Sequence, residues 1–568
     1  MSDTNKNNES TGAEAMVRML AAHDVKTIFG LCGDTSLPFY DALYRLNHGM
    51  SHILTRDERS AAYMADGYAR VTGKVGVCEG PSGGGATYIL PGVVEASESS
   101  VPVLAITSDV ATTSAGRFPL TELDQEALFR PLTTYNAVIR SGGELPRRVR
   151  AAFKAMTVAP QGAAHLGLPF DVQKQAVPED EIWADPQFGS FPALPTVAAA
   201  ETLKAAAGAL LSARSPLIIC GGGVVLSRAE TALQRIVNLI DIPVATTVSG
   251  QGAIPETHPC AVGVVGSNGG VESTRSIVDE SDVILFIGCR AGSVTTERWR
   301  APARGVRIVH IDNDPAVLGA NYPTEVAVLS DARLALEAIA ADIELRDPDA
   351  PKFAGAARAA RVREAKAQRL APLAASNDRP IRPERVIATL NALLPDDAVV
   401  VADPGTPCPY FSAYFTLRQP GRQFFSNRAH GALGYALGAS VGAQVGRPNA
   451  KVICAMGDGS FGFAVGELET VTRLGLPITF LVFSNSVYGW IKAGQRAGFG
   501  ERYFSVDFSR TDHAAVAKAY GLKTWRVDEP SQLEEALKAA IATDGPTLVD
   551  IIAQPLNEAA APVSEWIA

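Results

Sequence analysis

Asp458 and Asn485 are the residues whose types and spacing most plainly allow chemistry. Asp458 stands inside Gly457-Asp458-Gly459, and 25 residues separate that turn from Asn485. The run Val452 to Met456 ahead of the turn is apolar and short, which predicts a buried strand that the glycines then break. Phe463, Leu468, Val471 and Leu474 follow at roughly helical spacing until Gly475 and Pro477, and a second apolar run, Ile478 to Phe483, ends at Ser484-Asn485. Two strands joined by one crossover helix run parallel, so their C-terminal ends share one sheet edge and Asp458 and Asn485 converge. A carboxylate beside an amide oxygen at such an edge suits a small hard cation such as Mg²⁺.

Other segments offer weaker chemistry. Glu58 opens the helical segment RDERSAAYMADGYARVTG just past a short strand, where an acid also complements the helix dipole. The run Ser82 to Thr87, SGGGAT, lacks the Lys-Ser/Thr ending of a phosphate loop, and a close approach to another surface explains its glycines equally well. In the middle of the chain Gly221-Gly222-Gly223 follows the strand-like run Pro216 to Cys220, and Asp312 ends a later one. An adenine nucleotide there and a purely structural block with tight turns both fit.

These residues need a scaffold, and the chain is long enough for several domains. Of its 568 residues 47% are hydrophobic and 20% charged, the balance of a globular protein with little disorder. A net charge of −9 without Lys/Arg clusters argues against a nucleic-acid surface, and no apolar run is long enough for a membrane span. The opening MSDTNKNNESTG is polar, and cytoplasm is the expected location. Seven scattered cysteines without a CxxC pair read as reduced thiols in the core or near the site.

Strand-like and helix-like stretches alternate through three blocks, which predicts an α/β protein of three consecutive doubly wound parallel-sheet domains. Their expected limits are 12–180, 197–345 and 379–555, with a linker over 346–378 and a tail over 556–568. The Ala- and Arg-rich part of the linker, from about Pro351 to Asn377, reads as a solvent-washed helix. A helix is expected over His430 to Gly446. The first and third blocks both carry loaded strand ends, a hint of internal duplication.

The spacing from GDG to Asn485 resembles the diphosphate-and-metal motif of thiamine diphosphate enzymes. GAEAMVRML, IFGLCGDTSLPFYDAL, RDERSAAYMADGYAR, GRFPLTELDQEALFRPLT, GGGVVLSRAE, IPETHP, VRIVHIDNDP and HGALGYALGASVGA resemble, in order, stretches of the acetolactate synthase, pyruvate oxidase and oxalyl-CoA decarboxylase group. The similarity runs from about Gly12 to Ile552. It implies pyrimidine-binding, central nucleotide-binding-like and diphosphate-binding domains, in that order.

The resemblance also implies roles. Asp458, the Asn485 side chain and the Val487 carbonyl would hold Mg²⁺ with the cofactor diphosphate, and Gly33, Thr406, Gly457, Gly459 and Ser460 would line the cofactor. Glu58 falls where the family places the acid that bonds N1′ of the aminopyrimidine and favours its imino tautomer. Leu433 matches the bulky apolar residue that props the cofactor into a V; otherwise it is an ordinary core leucine. Gly222, Arg290 and Asp312 mark where FAD or ADP would lie in the central block. Glu58 and the metal motif would meet across two subunits, so a homodimer or homotetramer is expected.

Departures from the synthase pattern concern the substrate. Asp57 replaces His before the acid, Leu120-Thr121-Glu122 replaces Phe-Gln-Glu, Gly84-Gly85-Ala86-Thr87 replaces Pro-Gly-Ala-Thr, and Trp490-Ile491-Lys492 replaces Met-Val-Arg. Cys32 and Asp34 flank Gly33 near the expected thiazolium face. Asp34, Thr121, Glu122, Trp490, Ile491 and Lys492 are therefore the candidate substrate pocket; as alternatives, Trp490 is simply core and Lys492 simply solvated. The expected activity is C–C cleavage or formation on a 2-oxo acid by a decarboxylase or carboligase. Alternatives are a 2-hydroxyacyl-CoA lyase or oxalyl-CoA decarboxylase, a flavin-dependent 2-oxo acid oxidase, a sulfoacetaldehyde acetyltransferase-like enzyme, or a lapsed enzyme kept as a nucleotide-binding or assembly subunit.

Overall fold

The computed structural model describes residues 9–346 and 352–566. Most of the polar opening, the start of the expected linker helix at Pro351 and the last two tail residues lie outside the described residues. Three six-stranded sheets, each wholly parallel, account for the architecture, together with a two-stranded antiparallel pair of Glu9–Thr11 and Ala176–Pro178. The three-sheet α/β expectation matches this arrangement.

In spatial order the N-terminal sheet consists of Ser51–Leu54, Thr27–Gly30, Gly76–Gly80, Val103–Asp109, Ala164–Pro169 and Tyr135–Val138. The C-terminal sheet consists of Phe424–Ser426, Val399–Ala402, Val452–Gly457, Thr479–Ser484, Thr547–Ile552 and Lys523–Val527. Numbered along the chain, both run second, first, third, fourth, sixth, fifth, and this identity of topology supports the duplication hinted at by their loaded strand ends. The central sheet differs. Ala261–Val264, Val244–Thr246, Pro216–Cys220, Val283–Ile287, Arg307–Asp312 and Val326–Leu329 run third, second, first, fourth, fifth, sixth, the dinucleotide-fold order.

In such sheets the chain departs in opposite directions from one point, and the crevice beyond the strand ends there accepts ligands. That point falls between strands 27–30 and 76–80, between 216–220 and 283–287, and between 399–402 and 452–457. Central strands covered on both faces become continuous apolar runs, as Val283–Ile287 and Thr479–Ser484 show by their complete burial.

By packing, the described chain divides into two compact units. One comprises the N-terminal block to Leu194 with residues 438–448 and 466–474; the other comprises the central sheet and the rest of the C-terminal block. Within the first unit, residue 442 must be glycine because a Cβ there would lie 1.9 Å from the Met64 carbonyl oxygen on helix Glu58–Thr72. The Gly-rich composition of the helix thus reflects backbone-to-backbone packing.

Three local expectations change. The helix expected from His430 begins at Tyr435, because Gly431 and Gly434 take positive φ, 75° and 88°, and hold residues 430–434 in a turn. The crossover helix after Gly459 is broken into Asp458–Ala464 and Leu468–Leu474 by a 3₁₀ turn at Val465–Glu467. The helix of the expected linker, Gly355–Ala374, is not solvent-washed throughout. It buries Gly355, Ala359 and Val362 in the central block, and Arg358 donates to the Pro216 carbonyl at 2.7 Å. Gly355, Ala359 and Val362, spaced by four and three residues, form a narrow buried stripe that composition alone does not reveal. The tail is also tied down: Asn268 bridges Val563, and Trp566 meets Trp490 with ring centroids 5.1 Å apart.

Candidate active site

The metal-motif residues come together as the crossover rule requires. Strands 452–457 and 479–484 are hydrogen-bonded parallel neighbours, with Gly457 beside Phe483. Asp458 Oδ2 accepts the backbone N–H groups of Asn485 and Ser486 at 2.8 and 2.6 Å, and Oδ1 accepts that of Gly459 at 2.9 Å. Burial nevertheless pushes the Asp458 carboxyl up from its ordinary value, partly offset by these three donors. Ser486 adopts φ 58°, which turns the chain after Asn485. Gly459 is required because a Cβ would sit 2.7 Å from Cε1 of Tyr488. The Val487 carbonyl accepts the N–H of Gly489 at 2.9 Å.

This turn fits a bound magnesium diphosphate. The Asn485 side-chain oxygen and nitrogen are both buried and without a hydrogen-bond partner, a costly arrangement unless a ligand completes it. Among the described residues no cluster of three or more His, Cys, Asp or Glu could hold a metal. One carboxylate with amide and carbonyl oxygens is nevertheless the donor set of Mg²⁺ shared with phosphate.

Across the same switch point, Asp403 is a residue that sequence inspection missed. Fully buried after strand 399–402, it accepts the N–H of Gly434 at 3.1 Å and of Ala436 at 2.8 Å, which fixes the turn bearing Leu433. Burial raises its carboxyl to about 6, while Ala436, Ser460 and Gly434 pull the other way. Ser460 thereby links the GDGS turn to the Leu433 turn. Leu433 itself is half-buried on that turn. Thr406 is buried at the start of helix Pro407–Tyr414.

Glu58 is the first residue of its helix, while Asp57 is the N-cap and accepts the N–H of Arg59 at 2.8 Å. Capping therefore falls to Asp57. Only 7% exposed, Glu58 is pushed up by burial and by Asp57. Its Oε1 lies 3.2 Å from where a Cβ on Gly85 would be, and a Cβ on Gly33 would be 2.3 Å from Pro81. Close approach thus accounts for Gly33, Gly83 and Gly85, whereas a Cβ on Gly84 would meet nothing within 4 Å.

Around that loop four hydroxyls form a chain. Thr35 Oγ1 lies 2.7 Å from Ser108 Oγ and 3.0 Å from Ser82 Oγ, which is 2.7 Å from Thr121 Oγ1. Thr121 takes φ 71°. Asp34 is exposed and caps the N–H of Thr35 at 2.9 Å, and exposed Glu122 accepts the N–H of Gly116 at 2.5 Å.

Trp490 packs partly buried on the C-terminal core, Ile491 is exposed, and Lys492 pairs with Asp507 at 2.7 Å. Lys492 is therefore neither simply solvated nor free. None of the seven cysteines forms a disulfide; six are buried and Cys32 is exposed. No helix among the described residues is long and apolar enough to cross a membrane.

In the central sheet, Gly222 and Arg290 follow strands Pro216–Cys220 and Val283–Ile287, and Asp312 is the last residue of strand Arg307–Asp312, so all three lie at C-terminal strand ends on one edge. Burial raises Asp312 to about 6; the backbone N–H of Asp314 and the charge of Arg290 oppose the rise, and the Asp314 carboxylate adds to it. Asp312 Oδ1 accepts the N–H of Asp314 at 3.0 Å.

Comparison with known proteins agrees with this architecture. The descriptions "Thiamine pyrophosphate enzyme, N-terminal TPP binding domain", "central domain" and "C-terminal TPP binding domain" match residues 10–128, 203–339 and 403–551. A probable acetolactate synthase large subunit of Methanococcus aeolicus is 35% identical over 556 residues, covering 96% of this chain and 92% of the relative. Another from Methanocaldococcus jannaschii is 35% identical over 554 residues, covering 96% and 92%. The acetolactate synthase isozyme 2 large subunit of Escherichia coli is 31% identical over 544 residues, covering 95% of each. With three domain matches in order and full-length relatives at this identity, the chain belongs to the thiamine pyrophosphate enzyme family.

Proposed function

We propose that this protein is a thiamine diphosphate- and Mg²⁺-dependent decarboxylase or carboligase of a 2-oxo acid, acetolactate-synthase-like in its chemistry. The observation that carries the reading is the Asn485 amide, buried and unpartnered beside the Asp458 carboxylate. Thiamine diphosphate, when bound, supplies a nucleophilic ring carbon that cleaves or forms the bond beside a carbonyl.

The chain's residues would bind and position it. Asp458, the Asn485 amide and the Val487 carbonyl would hold Mg²⁺, while Gly457, Gly459, Ser460, Thr406 and Gly33 would leave room for the cofactor. Burial keeps the Glu58 carboxyl readier to hold a proton than a solvated glutamate, the property required of the acid at the aminopyrimidine edge. Leu433, half-buried on a turn clamped by Asp403, would be the apolar support. Asp34, Thr121, Glu122, Trp490, Ile491 and Lys492 would select the substrate. Here Thr121 presents a hydroxyl backed by Ser82 where the synthase pattern has an amide.

A homodimer, or a tetramer of two such dimers, is the active form in this reading, and seven cysteines without a disulfide favour the cytoplasm. FAD or ADP would occupy the edge marked by Gly222, Arg290 and Asp312; a yellow purified protein indicates FAD. Incubating the Mg²⁺- and thiamine diphosphate-loaded protein with 2-oxo acids and with 2-hydroxyacyl-CoAs, and following C–C cleavage by mass spectrometry, tests the reading. Turnover of 2-oxo acids, lost in a soluble Glu58→Gln variant, is expected. Turnover of acyl-CoAs alone would overturn the substrate class, and full activity of Glu58→Gln would overturn the mechanism.

A further inference from the structure

A second carboxyl lies at the N-terminal switch point. Glu79 belongs to strand Gly76–Gly80, is 1% exposed, and shares its face with the core residue Val77. Its Oε2 accepts the Tyr40 hydroxyl proton at 2.7 Å, and the Tyr40 oxygen lies 3.0 Å from His52 Nε2. The Tyr40 and His52 rings meet edge to face with centroids 4.9 Å apart. Glu79 Oε1 is buried and has no hydrogen-bond partner.

Groups on three neighbouring segments act on the ionisation of Glu79. Burial drives its carboxyl up to about 8; Tyr40 from helix Leu37–Arg45 and Ser36 from the preceding turn oppose the rise, and Glu58 from the start of helix 58–72 adds to it. Cys32, in the loop before that turn, feels Glu79 in return, because the carboxylate pushes its thiol up after burial has done so. His52, on strand Ser51–Leu54, is half-buried and driven down to about 4 by burial, so it stays neutral. Near neutral pH Glu79 therefore holds its proton. Because Oε2 receives the Tyr40 hydroxyl, the unpartnered Oε1 is the oxygen that carries it. An apolar residue would fill this core position without leaving an unmet oxygen, so packing alone does not account for a carboxyl here.

We propose that Glu79 is a proton-holding group of the active site, recharged from solvent through His52 and Tyr40, and that it sets the proton supply of Glu58. In each transfer His52 passes its Nε2 proton to the Tyr40 oxygen while taking one at Nδ1 from a hydronium ion or a buffer acid in solvent. Tyr40 passes its own hydroxyl proton to Glu79 Oε2, and the Oε1 proton leaves toward the Glu58 side. Each member gains and loses one proton and one proton has moved inward; before the next transfer His52 returns to its Nε2–H tautomer by proton exchange with solvent, and the Tyr40 hydroxyl and the Glu79 carboxyl rotate back. Glu79 and Tyr40 are positioning residues in this scheme, and the scheme rests on the reading of Glu58 given above.

Infrared spectroscopy of the full ligand-free chain supplies a readout separate from activity. A protonated-carboxyl component is expected at pH 7 in the parent-minus-Glu79→Gln difference spectrum, where bands common to both proteins, such as that of Glu467, cancel. On transfer to D₂O this component should shift, and Tyr40→Phe should slow that shift at least tenfold. In the loaded enzyme, hydrogen–deuterium exchange at the cofactor's reactive carbon should show an ionisation near pH 8 that Glu79→Gln removes. No such component in the difference spectrum overturns the proposal. Should Glu79→Gln not fold, an unslowed shift in Tyr40→Phe overturns the relay on its own. If Glu58→Gln exchanges at the parental rate, the Glu58 reading fails and removes the relay's destination, while the infrared results still decide whether Glu79 holds a proton.

Discussion

Asp458 binds the backbone of Asn485, not its side chain: Oδ2 takes the Asn485 N–H at 2.8 Å and leaves the amide group buried without a partner. The two residues therefore have separable roles. Asp458→Asn should destabilise the protein by about 1.5–3 kcal/mol, the usual worth of a hydrogen bond to a charged group. Asn485→Ala should leave the melting temperature of the ligand-free protein nearly unchanged, because it deletes an unsatisfied group. Both should weaken Mg²⁺-dependent thiamine diphosphate binding by at least roughly 10–100-fold, the scale already seen when a metal site loses a group that only supports a ligand. Thermal melts alongside cofactor titrations by tryptophan quenching check this, and equal melting losses in the two variants would contradict it.

Leu433 is half-buried on a turn held by Asp403. Leu433→Ala should change stability by less than about 1 kcal/mol, as substitutions away from the core do. Turnover should fall by about 10²-fold, the scale of a small misplacement of reacting groups. Leu433→Met should restore most of it. Steady-state kinetics on the substrate found in the panel, alongside thermal melts, make the comparison.

Glu467 offers a pH test away from the metal turn. Burial raises its carboxyl to about 7, against the opposing bonds from Thr470 at 2.7 Å and the Arg56 N–H at 2.8 Å. With the folded value above the unfolded one, the native state binds more protons between about pH 4.5 and 7. Its contribution is therefore fully present below that window and is lost as pH rises through it. Glu467→Gln should flatten this fall, by on the order of 1–3 kcal/mol across the window, in urea unfolding at a series of pH values.

Gly442→Ala should destabilise the first compact unit by roughly 1–3 kcal/mol, since the added methyl meets the Met64 carbonyl and the backbones must separate. Alanine favours helix more than glycine does, so a gain in stability would show that the contact yields freely. Chemical denaturation distinguishes the two signs.

The sequence by itself determined the alternation of strands and helices, the parallel pairing of strands 452–457 and 479–484, and hence the meeting of Asp458 with Asn485. These are local or nearest-neighbour properties: apolar period, glycine breaks and the geometry of one crossover. The helix from Tyr435 was legible in composition, but its start was not, because Gly431 and Gly434 act through backbone conformation. Likewise the Gly355–Ala374 helix showed its charge in the sequence, while its buried face depends on the central sheet it covers. Asp403 and Glu79 passed as unremarkable acids. A charge inside the run VGVCEG was a signal for Glu79, yet its bond to Tyr40 joins residues 39 apart in sequence. Only the tertiary structure decided that Asp57 caps the helix while Glu58 turns inward, that Lys492 is paired with Asp507, and that the Asn485 amide is left without a partner. The physical reason is the same in each case: burial and partner choice are set by segments distant in sequence, and those set the ionisation of every carboxyl on which the proposed chemistry depends.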